Sequence, residues 1–146
     1  MSEIKTNRGT TVVTVIGVLM VLEAITFLFA ALLHVGVQLP PGFSEPQIIP
    51  ATIVEGLCGI FLAVSAYGVI ARKTWAWGGA IAAHVFAVAG VLLGITALAL
   101  GAGPSTEVNT VYHRTILVVL VIVLALLATP GARGVMGASH RILPSG

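Results

Sequence analysis

The chain has 146 residues, a length that suits one domain. Its apolar fraction is 58% and its charged fraction 8%, against the about 25% charged that is usual in soluble domains. A mean hydropathy of +1.09 leaves too little polar surface to clothe a water-soluble globule, so the expected class is an integral membrane protein.

Formal net charge is +2, from seven Lys and Arg against five acidic residues, all of them Glu. With a pI of about 9.1, this balance points to the lipid bilayer and its anionic headgroups as partner. No basic, aromatic-interleaved patch suggests nucleic acid. Cys58 is the only cysteine, so no internal disulfide and no CxxC redox pair can form.

The N-terminal stretch MSEIKTNRGTT has the positive start of a signal peptide. The apolar run behind it is too long for the core of such a peptide, and no convincing cleavage site follows. It is expected to be kept as the first helix.

Four apolar segments follow, at about residues 11–35, 51–71, 75–100 and 111–128. Each holds roughly 18 to 26 residues, the length needed to cross a hydrocarbon core of about 30 Å as a helix. Spanning segments must satisfy their own backbone hydrogen bonds, which favours helices over the short alternating strands of a barrel. The predicted fold is an all-α, four-helix transmembrane bundle over residues 1–130, with a flexible cytoplasmic tail over 131–146.

The connectors carry the breakers. QLPPGFSEPQIIP, from Gln38 to Pro50, holds four of the seven prolines and ends the first helix. RKTW, from Arg72 to Trp75, reads as a tight turn. GAGPSTEVN, from Gly101 to Asn109, is a Gly/Pro loop whose Ser105-Thr106-Glu107 is placed to cap the fourth helix.

Orientation follows from the basic residues. Lys5, Arg8, Arg72, Lys73, Arg133 and Arg141 fall on one side of a four-span topology, and Arg114 alone on the other. Both termini are therefore expected in the cytoplasm, with Trp75 and Trp77 as an aromatic anchor at that interface.

The chemistry lies in ionisable groups inside the spans. Glu23, Glu55, His84 and His113 sit within apolar runs, and His34 at an outer end. Insertion scales put the penalty for a charged group there at about 2.5 to 3.5 kcal/mol, so such residues face the bundle interior and find partners. Counting 1.5 Å per residue from the cytoplasmic ends places Glu23 at ~18 Å, His84 at ~14 Å, Glu55 at ~24 Å and His113 at ~22 Å. Two levels are expected, Glu23 with His84 and Glu55 with His113, with His34 above the second pair. On the first helix, Glu23, Thr26, Phe27, Ala30 and His34 share one face, which should point inward.

Two readings of this cluster stand side by side. Glu–His pairs serve as hydrogen-bonded glue between helices. The same pairs also suit a ligand, metal or proton site. A metal would need ligands from several helices, since no HxxxH or ExxH occurs on one helix. Bis-His haem needs two histidines at one height, and the three intramembrane heights differ by roughly 8 to 20 Å.

Other features read as structure. Gly90 and Gly94 form a GxxxG, and small residues recur in GLCG and GGAIAAH, as close helix packing requires. At the start of the fourth segment, NTVYHRTILVV offers Asn109 as a cap, Tyr112 as an interfacial belt residue and Arg114 as an outward anchor. They are possible supports for His113. No phosphate loop, nucleophile elbow or catalytic set appears, so no catalytic residue is assigned and a soluble catalytic domain has no room.

The stretch IVEGLCGIFLAV, together with the four-span length, resembles small four-helix bacterial membrane proteins of the broad DoxX-like kind. The resemblance covers about a third of the chain. It implies a bacterial plasma-membrane protein, with some members similar to subunits of membrane redox complexes. The expected function is a non-enzymatic ligand-binding or accessory subunit of a membrane complex, or a homo-oligomer. The alternatives are a proton-linked transporter of a small solute or metal, and a metal- or haem-binding membrane redox protein.

Overall fold

The computed structural model describes residues 2–38, 45–104 and 106–137, with side chains described from residue 9 onward. Within them the chain is all-α. Its helices are α1 (Ser2–His34), α2 (Ile49–Ile70), α3 (Ala76–Ala99), α4 (Glu107–Leu127) and a short α5 (Pro130–Gly137). The first four are long and apolar enough to cross a membrane, α1 over its Gly9–His34 portion. Lys5, Arg8, Ser105 and Arg141, used above for orientation and capping, lie outside the described side chains or residues.

Three helices end in the same way. After α1, Gly36 N–H donates to Leu33 O and Val37 N–H to Leu32 O, with Gly36 at φ 98°. After α3, Gly101 N–H donates to Leu98 O and Ala102 N–H to Ala97 O, with Gly101 at φ 70°. These are Schellman closures, in which a left-handed residue turns the chain back over the last carbonyls. The closure of α2 has the same bonds, Arg72 to Val69 and Lys73 to Gly68, but its left-handed residue is Arg72 at φ 51°. A side chain in this region is disfavoured by about 1 to 2 kcal/mol, which is why glycine is the usual occupant.

Consecutive helices pack as neighbours, and α4 returns against α1 to close the bundle. Two apolar layers fill it. One joins Ile16, Met20, Val69, Ala76, Val123 and Leu127. The other joins Phe27, Cys58, Leu62, Ala87, Val91 and Leu120. Many large apolar side chains point outward, among them Leu22, Ile25, Ile53, Ile70, Leu93 and Val118. Such an outward apolar surface is of the kind that acyl chains would solvate.

Glycine sets the closest approaches. A Cβ on Gly59 would come 2.7 Å from Leu28, and one on Gly68 would come 2.5 Å from the Trp75 ring. Gly79 meets the same ring, so Trp75 is clamped between the two glycines. Trp77 is tied to the bundle by its polar edge: its Nε1–H donates to Leu127 O at 3.1 Å and Arg133 lies over its ring.

The first residues of the expected loose tail are helical instead. Residues 130–137 form α5, which packs on α1 and buries Ala132 and Met136. Thr129 supplies the reason, since its Oγ1 accepts from Ala132 N–H at 3.3 Å and starts the helix. Pro130 then sits at the first helical position, where its missing N–H is harmless. The expectation for 138–146 lies outside the described residues.

Candidate functional site

The ionisable residues expected at the site are all buried: Glu23, His34, Glu55, His84 and His113 are each less than a tenth exposed. Helix phase explains this on α1, where Glu23, Phe27, Ala30 and His34 point inward. Thr26 of the same expected face is only half-buried and turns its hydroxyl to its own helix, donating to Leu22 O.

Glu23 on α1 meets His84 on α3, with His84 Nε2 3.0 Å from Glu23 Oε2. His84 Nδ1 lies 2.7 Å from Ala80 O. A carbonyl only accepts, so Nδ1 carries a hydrogen. The Nε2 contact therefore holds one proton, carried by the carboxyl or by the imidazole. The pair thus keeps a single shared proton in the middle of the bundle. It leaves Glu23 Oε1 buried, with no hydrogen-bond partner among the described residues.

The second pair differs from the expected one. Glu55 Oε2 lies 2.7 Å from His34 Nδ1 rather than being bonded to His113. The connection between α1 and α2 decides this. Ile48 N–H donates to His34 O at 2.9 Å, which ties the end of α1 to the start of α2. Gln47 Nε2 adds a bond to Val35 O. Glu55, about two turns into α2, then faces His34 across the most extensive helix pair of the bundle. Along α1, Glu23 and His34 are about 16 Å apart by helical rise, so the two Glu–His pairs form separate levels.

His113 turns to its own helix. Its Nδ1 lies 2.8 Å from Asn109 O and so donates to it, which leaves Nε2 of the neutral ring as an acceptor. The GxxxG of α3 makes the space. A Cβ on Gly90 would come 2.9 Å from Val54, and one on Gly94 would come 2.6 Å from His113 Nε2. The motif is therefore two seats, one for α2 and one for an imidazole of α4.

Two supporting assignments change. Asn109 is not the cap of α4. Thr106 is: its Oγ1 accepts from Asn109 N–H at 3.0 Å, and the helix begins at Glu107, a turn earlier than the apolar pattern suggests. The same Thr106 hydroxyl donates to the Glu45 carboxylate, at 2.8 Å from one of its oxygens, which joins the two loops at this end of the bundle. Asn109 itself is buried, with Oδ1 unpartnered among the described residues. Tyr112 is not a belt residue either. It packs edge-on against Phe27, and its hydroxyl is buried and unpartnered among the described residues. Asn109 lies in phase with the buried His113, Ile116 and Leu120, and the helix start set by Thr106 brings it into the first turn. Arg114 is exposed, as an outward anchor would be.

Glu55, Asn109 and His113 line one cavity of about 170 Å³ between α2, α3 and α4. Its other walls include Phe27, Val54, Gly90, Gly94 and Leu98. Glu55 Oε1 and Asn109 Oδ1 are the two buried oxygens here that lack a protein partner among the described residues. Unpaired buried acceptors each cost about 1 to 3 kcal/mol, so their presence beside one cavity is a chemical signal. Sequence reasoning placed Glu55 and His113 at one height, with His34 above them and Asn109 as a possible support, but it had no signal that His34 is the bonded partner of Glu55.

Among the described residues, no group of three His, Cys or Glu side chains is close enough to hold a metal ion. Comparisons with known protein families, with curated proteins and with solved structures find no match.

Proposed function

We propose that this chain is a non-enzymatic, multi-pass membrane protein that binds a small ligand in the cavity lined by Glu55, Asn109 and His113. One observation carries the reading: three buried polar residues, Glu55, Asn109 and His113, line a single apolar-walled cavity. Ligand sites have this form, a mostly apolar cleft with a few polar groups that fix orientation. The protein sits in a bacterial plasma membrane with both termini in the cytoplasm, as the distribution of Lys and Arg supports. It works as an accessory subunit of a larger membrane complex or as a homo-oligomer, in keeping with its small extramembrane portion and its DoxX-like stretch in α2.

A thermal-shift screen of a small-molecule panel, with the protein in nanodiscs, tests the reading. Compounds that use the cavity raise the melting temperature of the wild type but not of Val54→Phe, which fills it. A panel with no hit, or hits that stabilise both forms equally, refutes it.

A second reading is favoured by the Glu23–His84 contact. A shared proton in the middle of a bundle is the element a proton-linked transporter needs. Proton flux into liposomes that Glu23→Gln or Glu55→Gln abolishes would support transport; an absence of flux removes it.

A further inference from the structure

A second hollow, of about 360 Å³, is a groove along the side of the bundle between α1, the end of α2 and α5. Its walls are apolar: Val13, Val18, Val21 and Leu22 from α1, Val69 and Ile70 from α2. Val18, Leu22 and Ile70 are each more than half exposed, so the groove opens sideways, onto the outer surface of the bundle. Along α1 it reaches from Thr10 to Leu22, roughly 18 Å by helical rise. That is close to one leaflet, half of a hydrocarbon core of about 30 Å.

One end of the groove is basic. Arg72 and Lys73, in the turn after α2, line it beside Val135 and Met136 of α5. No Glu is among its described lining residues, and neither cation is in a salt bridge among the described residues. Lys73 has only the Tyr67 ring, 5.7 Å from its Nζ. Arg72 is in addition the one described residue other than glycine with a left-handed backbone, at φ 51°. The turn needs that backbone and glycine would supply it without strain, so what arginine adds there is its side chain. A strained cation, a second cation next to it and an apolar groove one leaflet long therefore meet at one place.

We propose that this groove seats one anionic phospholipid. Its phosphate lies between the Arg72 guanidinium and the Lys73 ammonium, and one acyl chain runs along α1 towards Leu22. A guanidinium matches phosphate oxygens with two parallel N–H bonds, while the ammonium adds a point charge. A soluble phosphate would use the cations but not the apolar walls, and a zwitterionic lipid would use the walls but carry its own cation to the basic end. The site is separate from the Glu55 cavity. It rests only on the reading of the four long helices as membrane spans.

The protein in a maltoside detergent is titrated with dioleoyl phosphatidylglycerol or dioleoyl phosphatidylcholine, and bound lipid is counted by native mass spectrometry. The expected result is one tight site for phosphatidylglycerol, filled at a concentration at least tenfold lower than for phosphatidylcholine. Arg72→Gly should weaken it about fivefold, the worth of one basic residue near an anionic lipid. That variant should melt no lower than the wild type, so the loss cannot be put down to misfolding. Arg133→Gln is the control, because it removes one cation that stacks on Trp77 and does not line the groove. Val18→Trp fills the groove from its exposed side and should abolish the tight site. Equal affinity for the two lipids overturns the headgroup assignment. Weakening by Arg133→Gln as large as that by Arg72→Gly overturns the site in favour of general surface charge. Displacement of the lipid by millimolar inorganic phosphate, or tight binding that survives Val18→Trp, overturns the acyl-chain seat. A dimer that Val18→Trp converts to monomer gives the groove to a second copy and overturns the proposal. If neither lipid binds while the protein still inserts into nanodiscs, the site is wrong and the membrane-spanning reading stands.

Discussion

Gly94 of α3 faces the imidazole of His113 on α4, and a Cβ at that position would lie 2.6 Å from Nε2. A helix that carried alanine there would push the ring away. The ring is held from behind by its bond to Asn109 O, so it has little freedom to yield. The small residue and the titratable one are therefore a single design.

Gly94→Ala should destabilise the bundle by about 1 to 3 kcal/mol, the usual penalty for overpacking. It should also lower affinity for any ligand of the cavity, because it covers Nε2. Gly78→Ala is the control, since a Cβ there meets nothing within 4 Å. Chemical denaturation of both variants in one detergent gives the comparison; equal stability of the two would show that Gly94 is not a seat for His113.

The Glu23–His84 contact predicts an ordered series. Glu23→Gln keeps a donor for His84 Nε2 and should be tolerated. Glu23→Leu strands that nitrogen in the core, and should cost about 1 to 3 kcal/mol more than the Gln variant. His84 also loses the partner that fixes its ring position. Melting curves of the two variants decide the matter, and a Leu variant as stable as Gln would mean that the pair contributes nothing.

Arg72 offers a gain. It occupies the left-handed position of a Schellman closure that Gly36 and Gly101 occupy elsewhere. Arg72→Gly should stabilise the protein by about 0.5 to 1 kcal/mol, less what glycine adds to the freedom of the unfolded chain. It should also weaken the charge bias on that side of the membrane. Unfolding measurements on the variant check the sign.

Trp77 anchors the start of α3 to the end of α4. Trp77→Phe keeps an aromatic side chain but removes the N–H donor to Leu127 O, a loss that by itself should cost about 1 kcal/mol. The bond to Leu127 lies beside α5, so the same variant should expose α5 to protease earlier than the rest of the chain. Limited proteolysis of the wild type and the variant shows whether α5 loosens first.

Orientation is open to a direct measurement. In a Cys58→Ala background, Glu45→Cys and Lys73→Cys should react with a membrane-impermeant maleimide from opposite sides of a sealed vesicle, Lys73→Cys from the cytoplasmic side. Labelling of both from one side would overturn the four-span reading.

Composition and run length determined the class of this protein. A chain of 58% apolar residues with four long apolar stretches satisfies its backbone in lipid by forming helices, and the four long helices match those stretches, α1 starting nine residues before its run and α4 a turn early because Thr106 caps it. Helical rise also put Glu23 level with His84, since height depends only on residue count. Which histidine meets Glu55 was a different kind of question. Heights set Glu55 beside His113, but lateral position depends on how the α1–α2 loop folds back, and the bond from Ile48 N–H to His34 O sets His34 against α2. Thr106 was legible as part of the expected cap, and Asn109 lies in phase with the buried His113, Ile116 and Leu120, a spacing the sequence carries; the burial of the Tyr112 hydroxyl was hidden, because it depends on where Phe27 of α1 comes to lie. Periodicity along a helix is a local property and can be read from the chain; the contacts between helices arise from loops and caps that act together only in the folded bundle.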